Sequence, residues 1–144
     1  MTDARPVLEQ VNLVVKDMDA TVKFYELLGL EIADTHPDWQ AHHRSARMPN
    51  GIDLDFDSEE FAQKWDTGWH AKGSGGAVLG FRVSSREAVD QLYKEVTKAG
   101  YAAQQEPYDA FWGARYAIVE DPDGNAVALK SPSDPARRTT PTPP

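Results

Sequence analysis

The chain has 144 residues, of which 40% are hydrophobic and 26% charged, with no cysteine and a formal net charge of −8. That length suits one compact domain with a core, and the lack of cysteine excludes disulfides, thiolate metal sites and cysteine nucleophiles. The negative charge opposes binding to a nucleic-acid backbone, and no apolar run is long enough to cross a bilayer. The opening stretch MTDARPVLEQ has no apolar leader core. The expected setting is cytoplasmic, with neither nucleic acid nor membrane as partner.

In chain order, QVNLVV reads as a strand and KDMDATVKFYELLG as a helix. Met18, Val22, Tyr25 and Leu28 form its apolar stripe, Asp17 can cap its start and Gly29 ends it. Strand-like runs follow at about 30–35, 39–47 and 52–57, the last two joined by a turn at Pro49-Asn50-Gly51. SEEFAQKWDTGWHAKGSGG then reads as a linker with a short helical start. Its GSGG precedes a strand, the reverse of the order a dinucleotide-binding loop needs. VLGFRV reads as a strand, and SSREAVDQLYKEVTKAG as a helix with Val89, Leu92, Tyr93 and Val96 on one face. Ser84 with Glu87 suggests a capping box, and Gly100 a stop. Strands are expected at about 101–106, 112–119 and 125–130, with a turn at Pro122-Asp123-Gly124 between the last two. The tail SPSDPARRTTPTPP is Pro- and Thr-rich and reads as disordered or loosely attached.

The two halves repeat. A shift of 68 positions pairs Val15 with Val83, Ala20 with Ala88, Tyr25 with Tyr93 and Leu28 with Val96. The expected class is α+β, with two βαβββ modules at about 5–58 and 77–131, a linker at about 58–76 and a tail at 132–144. One helix covers only one face of each sheet. Strand alternation then assigns the open faces. These carry Gln10, Asn12 and Val14; Asp53, Asp55 and Asp57; Val78, Gly80 and Arg82; and Ala126, Ala128 and Lys130.

VVKDMDATVKFYELLGLEI and WGARYAIVEDPDGNAVAL, together with the repeat, resemble the vicinal oxygen chelate superfamily of glyoxalase I, extradiol dioxygenases and bleomycin-resistance proteins. The resemblance implies two βαβββ modules whose mixed sheets curl round a cup, often completed by a homodimer. In metal-dependent members each module gives two ligands, one from its first strand and one from its last. The matching positions here are Gln10, Asp55, Val78 and Ala128. Gln10 and Val78 are 68 residues apart, and Asp55 and Ala128 each lie four residues past a turn glycine. A catalytic metal needs at least three donors. Val78 and Ala128 have none, so neither metal nor cofactor is expected, and the chain reads as a metal-free, resistance-type member.

The expected ligand is an aromatic small molecule, cationic or rich in hydrogen-bond donors, such as an antibiotic or secondary metabolite. Trp39, Phe111 and Trp112 offer flat walls. Asp53, Asp55 and Asp57 offer a strip of negative charge, Arg82 and Arg115 countercharge, with a structural ion pair an equal reading for Arg115. His43 is the histidine placed at the site; a surface position is the competing reading. His42 and His43, adjacent on a strand, should point to opposite faces. Trp65 and Trp69 read equally as plugs of a dimer or module contact. A glyoxalase-, lyase- or dioxygenase-type enzyme with an atypical site on Gln10 and Asp55 is the alternative, and a metal-free acid–base role for Asp55 a third.

Overall fold

The computed structural model describes residues 8, 10–65 and 77–140. The chain divides into two compact units, Met1–Ala71 and Lys72–Pro144. Trp69, His70 and the GSGG run lie outside the described residues, and Trp65 closes a helix whose side chain at that position is also outside them.

In the first unit β1 is Gln10–Val15 and α1 is Met18–Leu27. Asp17 caps α1, its carboxylate accepting from Ala20 N at 3.0 Å. β2 spans His43–Arg47, β3 Asp53–Ser58 and α2 Glu59–Trp65. The sheet order is β1-β3-β2, with β1 parallel and β2 antiparallel to β3. Tyr25 of α1 lies 4.9 Å from the Phe56 ring, so the helix covers the face bearing Leu54 and Phe56. Phe24, beside the expected stripe, is fully buried as well, whereas Leu28 is only half-buried.

The second unit has the full complement. β4 is Val78–Arg82, α3 Arg86–Lys98, β5 Ala103–Asp109, β6 Arg115–Glu120 and β7 Ala126–Lys130. The order is β4-β7-β6-β5, with β4 parallel to β7. Val89 and Val96 of α3 are fully buried, as are Ala117, Val119, Val127 and Leu129 on the helix-covered face. The cap of α3 is Ser85, which accepts from Ala88 N at 3.1 Å, one residue later than the expected Ser84. Both hairpin turns are built alike. Gly51 N donates to Met48 O, and Gly124 N to Asp121 O, with φ of 90° and 81° at the two glycines.

Two expectations for the first unit are revised. The run at 30–35 joins no ladder, because the Arg44 guanidinium takes its carbonyls. Arg44 Nε donates to Ala33 O at 3.1 Å, and Nη2 reaches Ile32 O and Asp34 Oδ1 at 3.4 and 3.2 Å. The first described module is therefore βαββ followed by α2. That helix is the short helical start expected after β3, and it lies against β3 and β1. His42 falls in the turn before β2, outside the strand, so alternation does not govern it.

Residues 131–140 are held on the second unit, where a disordered or loosely attached tail was expected from 132 onward. Ser131 pairs with Arg115 through both backbone and hydroxyl. Asp134 N donates to Gly113 O at 3.0 Å and Thr139 N to Phe111 O at 2.9 Å. Gly113, at φ 94°, leaves no room for a side chain, because a Cβ would collide with the Asp134 carbonyl. Gly113→Ala therefore combines left-handed strain of about 1–2 kcal/mol with that collision. The expected result is release of the 132–140 segment and faster tryptic cleavage at Arg137 and Arg138. Unchanged cleavage would show that the segment is not held by this contact.

Candidate functional site

Alternation along β3 turns Asp53, Asp55 and Asp57 away from α1, and the parallel register sets Gln10 beside Asp53 and Asn12 beside Asp55. The antiparallel register brings His43 opposite Asp57 and Ser45 opposite Asp55. Asp57 is 2% exposed. A buried carboxylate needs donors, and two neighbouring strands provide them. Asn12 Nδ2 donates to Asp57 Oδ2 at 2.7 Å, and His43 Nδ1 lies 2.5 Å from Asp57 Oδ1. Gln10 Nε2 donates in turn to Asn12 Oδ1. Beside this chain Ser45 Oγ donates to Asp55 Oδ1 at 2.5 Å.

These residues open onto a hollow of about 430 Å³ lined by Gln10, Asn12, His43, Asp55, Asp57 and Phe61. Phe61 comes from α2, its ring 5.9 Å from His43. A second hollow of about 320 Å³ shares Phe61 and is lined also by Trp39, His42 and Glu60. Trp39 stands edge-on to Phe61 at 5.1 Å. His42 is tied to Ser58 Oγ at 2.9 Å.

Of the expected site residues, His43 and Asp55 thus share one hollow and Trp39 borders the next. Asp53 lies outside both linings and pairs with the exposed Arg47 at 3.1 Å. Phe61, Asn12 and Asp57 complete the first hollow. Phe61 was not among the candidates, because it falls in the stretch read as a linker. Its signal was the helical start SEEF immediately after the aspartate strand.

The remaining candidates belong to the second unit. Phe111, Trp112, Tyr116 and Tyr108 form a chain of edge-on aromatic contacts, with ring centroids 5.1, 5.1 and 6.0 Å apart. Burial raises the Tyr116 hydroxyl pKa above its ordinary value, and Tyr108 adds to the effect. Arg82 is exposed. Arg115 points to the helix side, where it bonds Asp90 of α3 at 2.9 Å and Asp109 at 3.2 Å. The Asp90 hydrogen bond is the largest cause of its raised pKa; burial opposes it and the charges of Asp90 and Asp109 add. Arg115 is engaged as a structural ion pair.

Register also aligns the modules residue by residue. Asp55 corresponds to Ala128, Asn12 to Gly80, Asp57 to Lys130 and His43 to Tyr116. The first open face is a hydrogen-bonded polar surface; the second is small and aromatic. Of the four positions that the sequence resemblance matches to metal ligands, Val78 and Ala128 have no donor atom, and Ala128 is flanked by Gly80 and Ile118. The set does not fit a divalent ion. Among the described residues no group of three or more His, Asp or Glu side chains is arranged to hold one.

The sequence profile of the Glyoxalase/Bleomycin resistance protein/Dioxygenase superfamily matches residues 7–129. The chain belongs to this superfamily. It is 28% identical to the uncharacterized protein PA2024 of Pseudomonas aeruginosa, over 96% of this chain and 99% of that one. Among solved structures it is similar to a glyoxalase-related enzyme from Fulvimarina pelagi, with TM-score 0.75, 21% identity and coverage of 87% of each chain. It is also similar to the hypothetical protein SA1046 of S. aureus, with TM-score 0.73, 22% identity and coverage of 90% of this chain and 95% of that one. At these identities the structural likeness concerns the fold. Among the described residues no helix is long and apolar enough to cross a membrane.

The polar chain makes Asp57 the member whose loss is felt most. Asp57→Ala strands the Asn12 amide and the His43 ring and should cost about 1–3 kcal/mol in chemical denaturation. Asp53→Ala removes only an exposed pair and should cost about 0–1 kcal/mol. Equal costs would contradict this ranking.

Proposed function

We propose that the protein binds, without a metal, an aromatic small molecule that carries hydrogen-bond donors or positive charge, and sequesters it in the manner of resistance-type relatives. An antibiotic or secondary metabolite is the fitting class of ligand. The observation that carries this reading is the donor-free pair Val78 and Ala128 at superfamily ligand positions. Sequestration requires no catalytic group. It requires an apolar wall and oriented polar atoms, and the first unit offers Phe61 and Trp39 beside Asp55 and His43. A planar ring stacks on such walls at low entropic cost, and carboxylates favour a donor or a cation. The proposal includes a cytoplasmic setting and a homodimer, and sedimentation of the purified chain checks the oligomeric state.

One observation favours a second reading. Gln10 and Asp55 line the same hollow, as an enzyme with an atypical metal site would need. Metal analysis of protein purified without chelator separates the two. Stoichiometric zinc, nickel, manganese or iron, lost in Asp55→Ala, would establish the second.

Tryptophan fluorescence titration with bleomycin-, mitomycin- and quinoxaline-type compounds tests the first reading. At least one should quench with micromolar or tighter affinity, and Phe61→Ala should weaken it about tenfold, or ~1.4 kcal/mol. No quenching by any of them below high micromolar concentration would refute it.

A further inference from the structure

The hydrogen bonds around Asp57 fix more than stability. An ionised carboxylate only accepts, so the atoms turned towards it must be donors. Asn12 therefore presents its amide nitrogen to Asp57, and its oxygen takes the Gln10 amide. By the same rule His43 carries its proton on Nδ1, facing Asp57 at 2.5 Å. The neutral ring then has a bare lone pair on Nε2. Nε2 has no hydrogen-bond partner among the described residues, and His43 lines the hollow with its side chain 35% exposed. Asp55 Oδ2 and Gln10 Oε1 are likewise without partners there, while Asp55 Oδ1 is taken by Ser45. The unspent atoms of the hollow are thus dominated by acceptors, with no cationic side chain among the described residues that line it.

We propose that His43, locked by Asp57 in the tautomer with a bare Nε2, is the specificity-determining acceptor for an aromatic hydroxyl, so that the ligand class is a phenol. The inference rests on the binding reading above and narrows its ligand. The aromatic ring lies against Phe61, and the ligand hydroxyl donates to Nε2. No bond is made or broken. Asp57 is a positioning residue, acting only through the His43 ring. A ring bearing a methoxy group in place of the hydroxyl loses the donor and leaves Nε2 unpaired. An acceptor that the bound ring covers and leaves unpaired discriminates far more strongly than a change of one methyl group in apolar surface.

Two matched probes test this, 4-nitrophenol and 4-nitroanisole, with affinities measured by calorimetry on the full chain. The wild type should bind the phenol at least tenfold tighter than the anisole, and His43→Phe should bind the two alike. The 15N shifts of the wild-type ring provide a measurement independent of any variant's folding. They should show a protonated Nδ1 and a bare Nε2, and the Nε2 signal should move with the phenol but not with the anisole. Equal affinities in the wild type, a preference that survives His43→Phe, or a ring protonated on Nε2 each overturn the inference. Equal binding of both probes leaves the general binding reading standing, whereas failure of both to bind removes the inference together with that reading for simple aromatic ligands.

Discussion

A buried carboxylate at the end of β3 governs the first unit. Asp57 is almost fully enclosed, and a charge in that position persists only with donors on both oxygens. Those donors come from the strands on either side, Asn12 from β1 and His43 from β2. One side chain therefore ties three strands together on the face that α1 does not cover. It also dictates polarity outward: the Asn12 amide can turn only one way, and Gln10 follows it. The open face of this sheet is a directed chain of hydrogen bonds, and the atoms that chain leaves over are mostly acceptors.

The second unit keeps the ladder and discards the chain. Its first and last strands pair in parallel as β1 and β3 do, and its hairpin turn places a glycine at positive φ in the same way. At the matched positions stand Gly80, Ala128, Lys130 and Tyr116, and no residue there can reproduce the Asp57 arrangement. The backbone of a repeat is held by its helix-covered core, where Val127 and Leu129 answer to Leu54 and Phe56. Outward side chains carry no such burden. One open face is a polar hydrogen-bonded surface and the other is built largely of small and aromatic residues, to which Val78 and Ala128 bring no donor atoms.

Much of this was legible in the chain itself. Periodicity located both helices, the turn glycines marked both hairpins, and alternation assigned the three aspartates to the face away from α1. Where reading failed, an individual contact decided the outcome. The run at 30–35 has strand-like composition, but Arg44 occupies its carbonyls. The cap of α3 moved from Ser84 to Ser85 because adjacent serines differ only in which hydroxyl reaches the Ala88 amide. The tail has the composition of a disordered segment, yet Gly113 admits Asp134 so closely that two backbone hydrogen bonds hold it. Arg115 was equally a ligand contact or an ion pair until α3 presented Asp90 to it.

The sequence by itself determined the duplicated α+β plan, the superfamily, and the donor-poor character of the second module. These follow from residue types at fixed spacing, and spacing survives without coordinates. Only the tertiary structure decided that His43 faces Asp57, that Asn12 joins them, and that Phe61 stands over the result. Strand register sets those neighbours. A shift of one residue would turn each of these side chains to the opposite face, and nothing in a linear pattern of aspartates and histidines specifies which pair will meet.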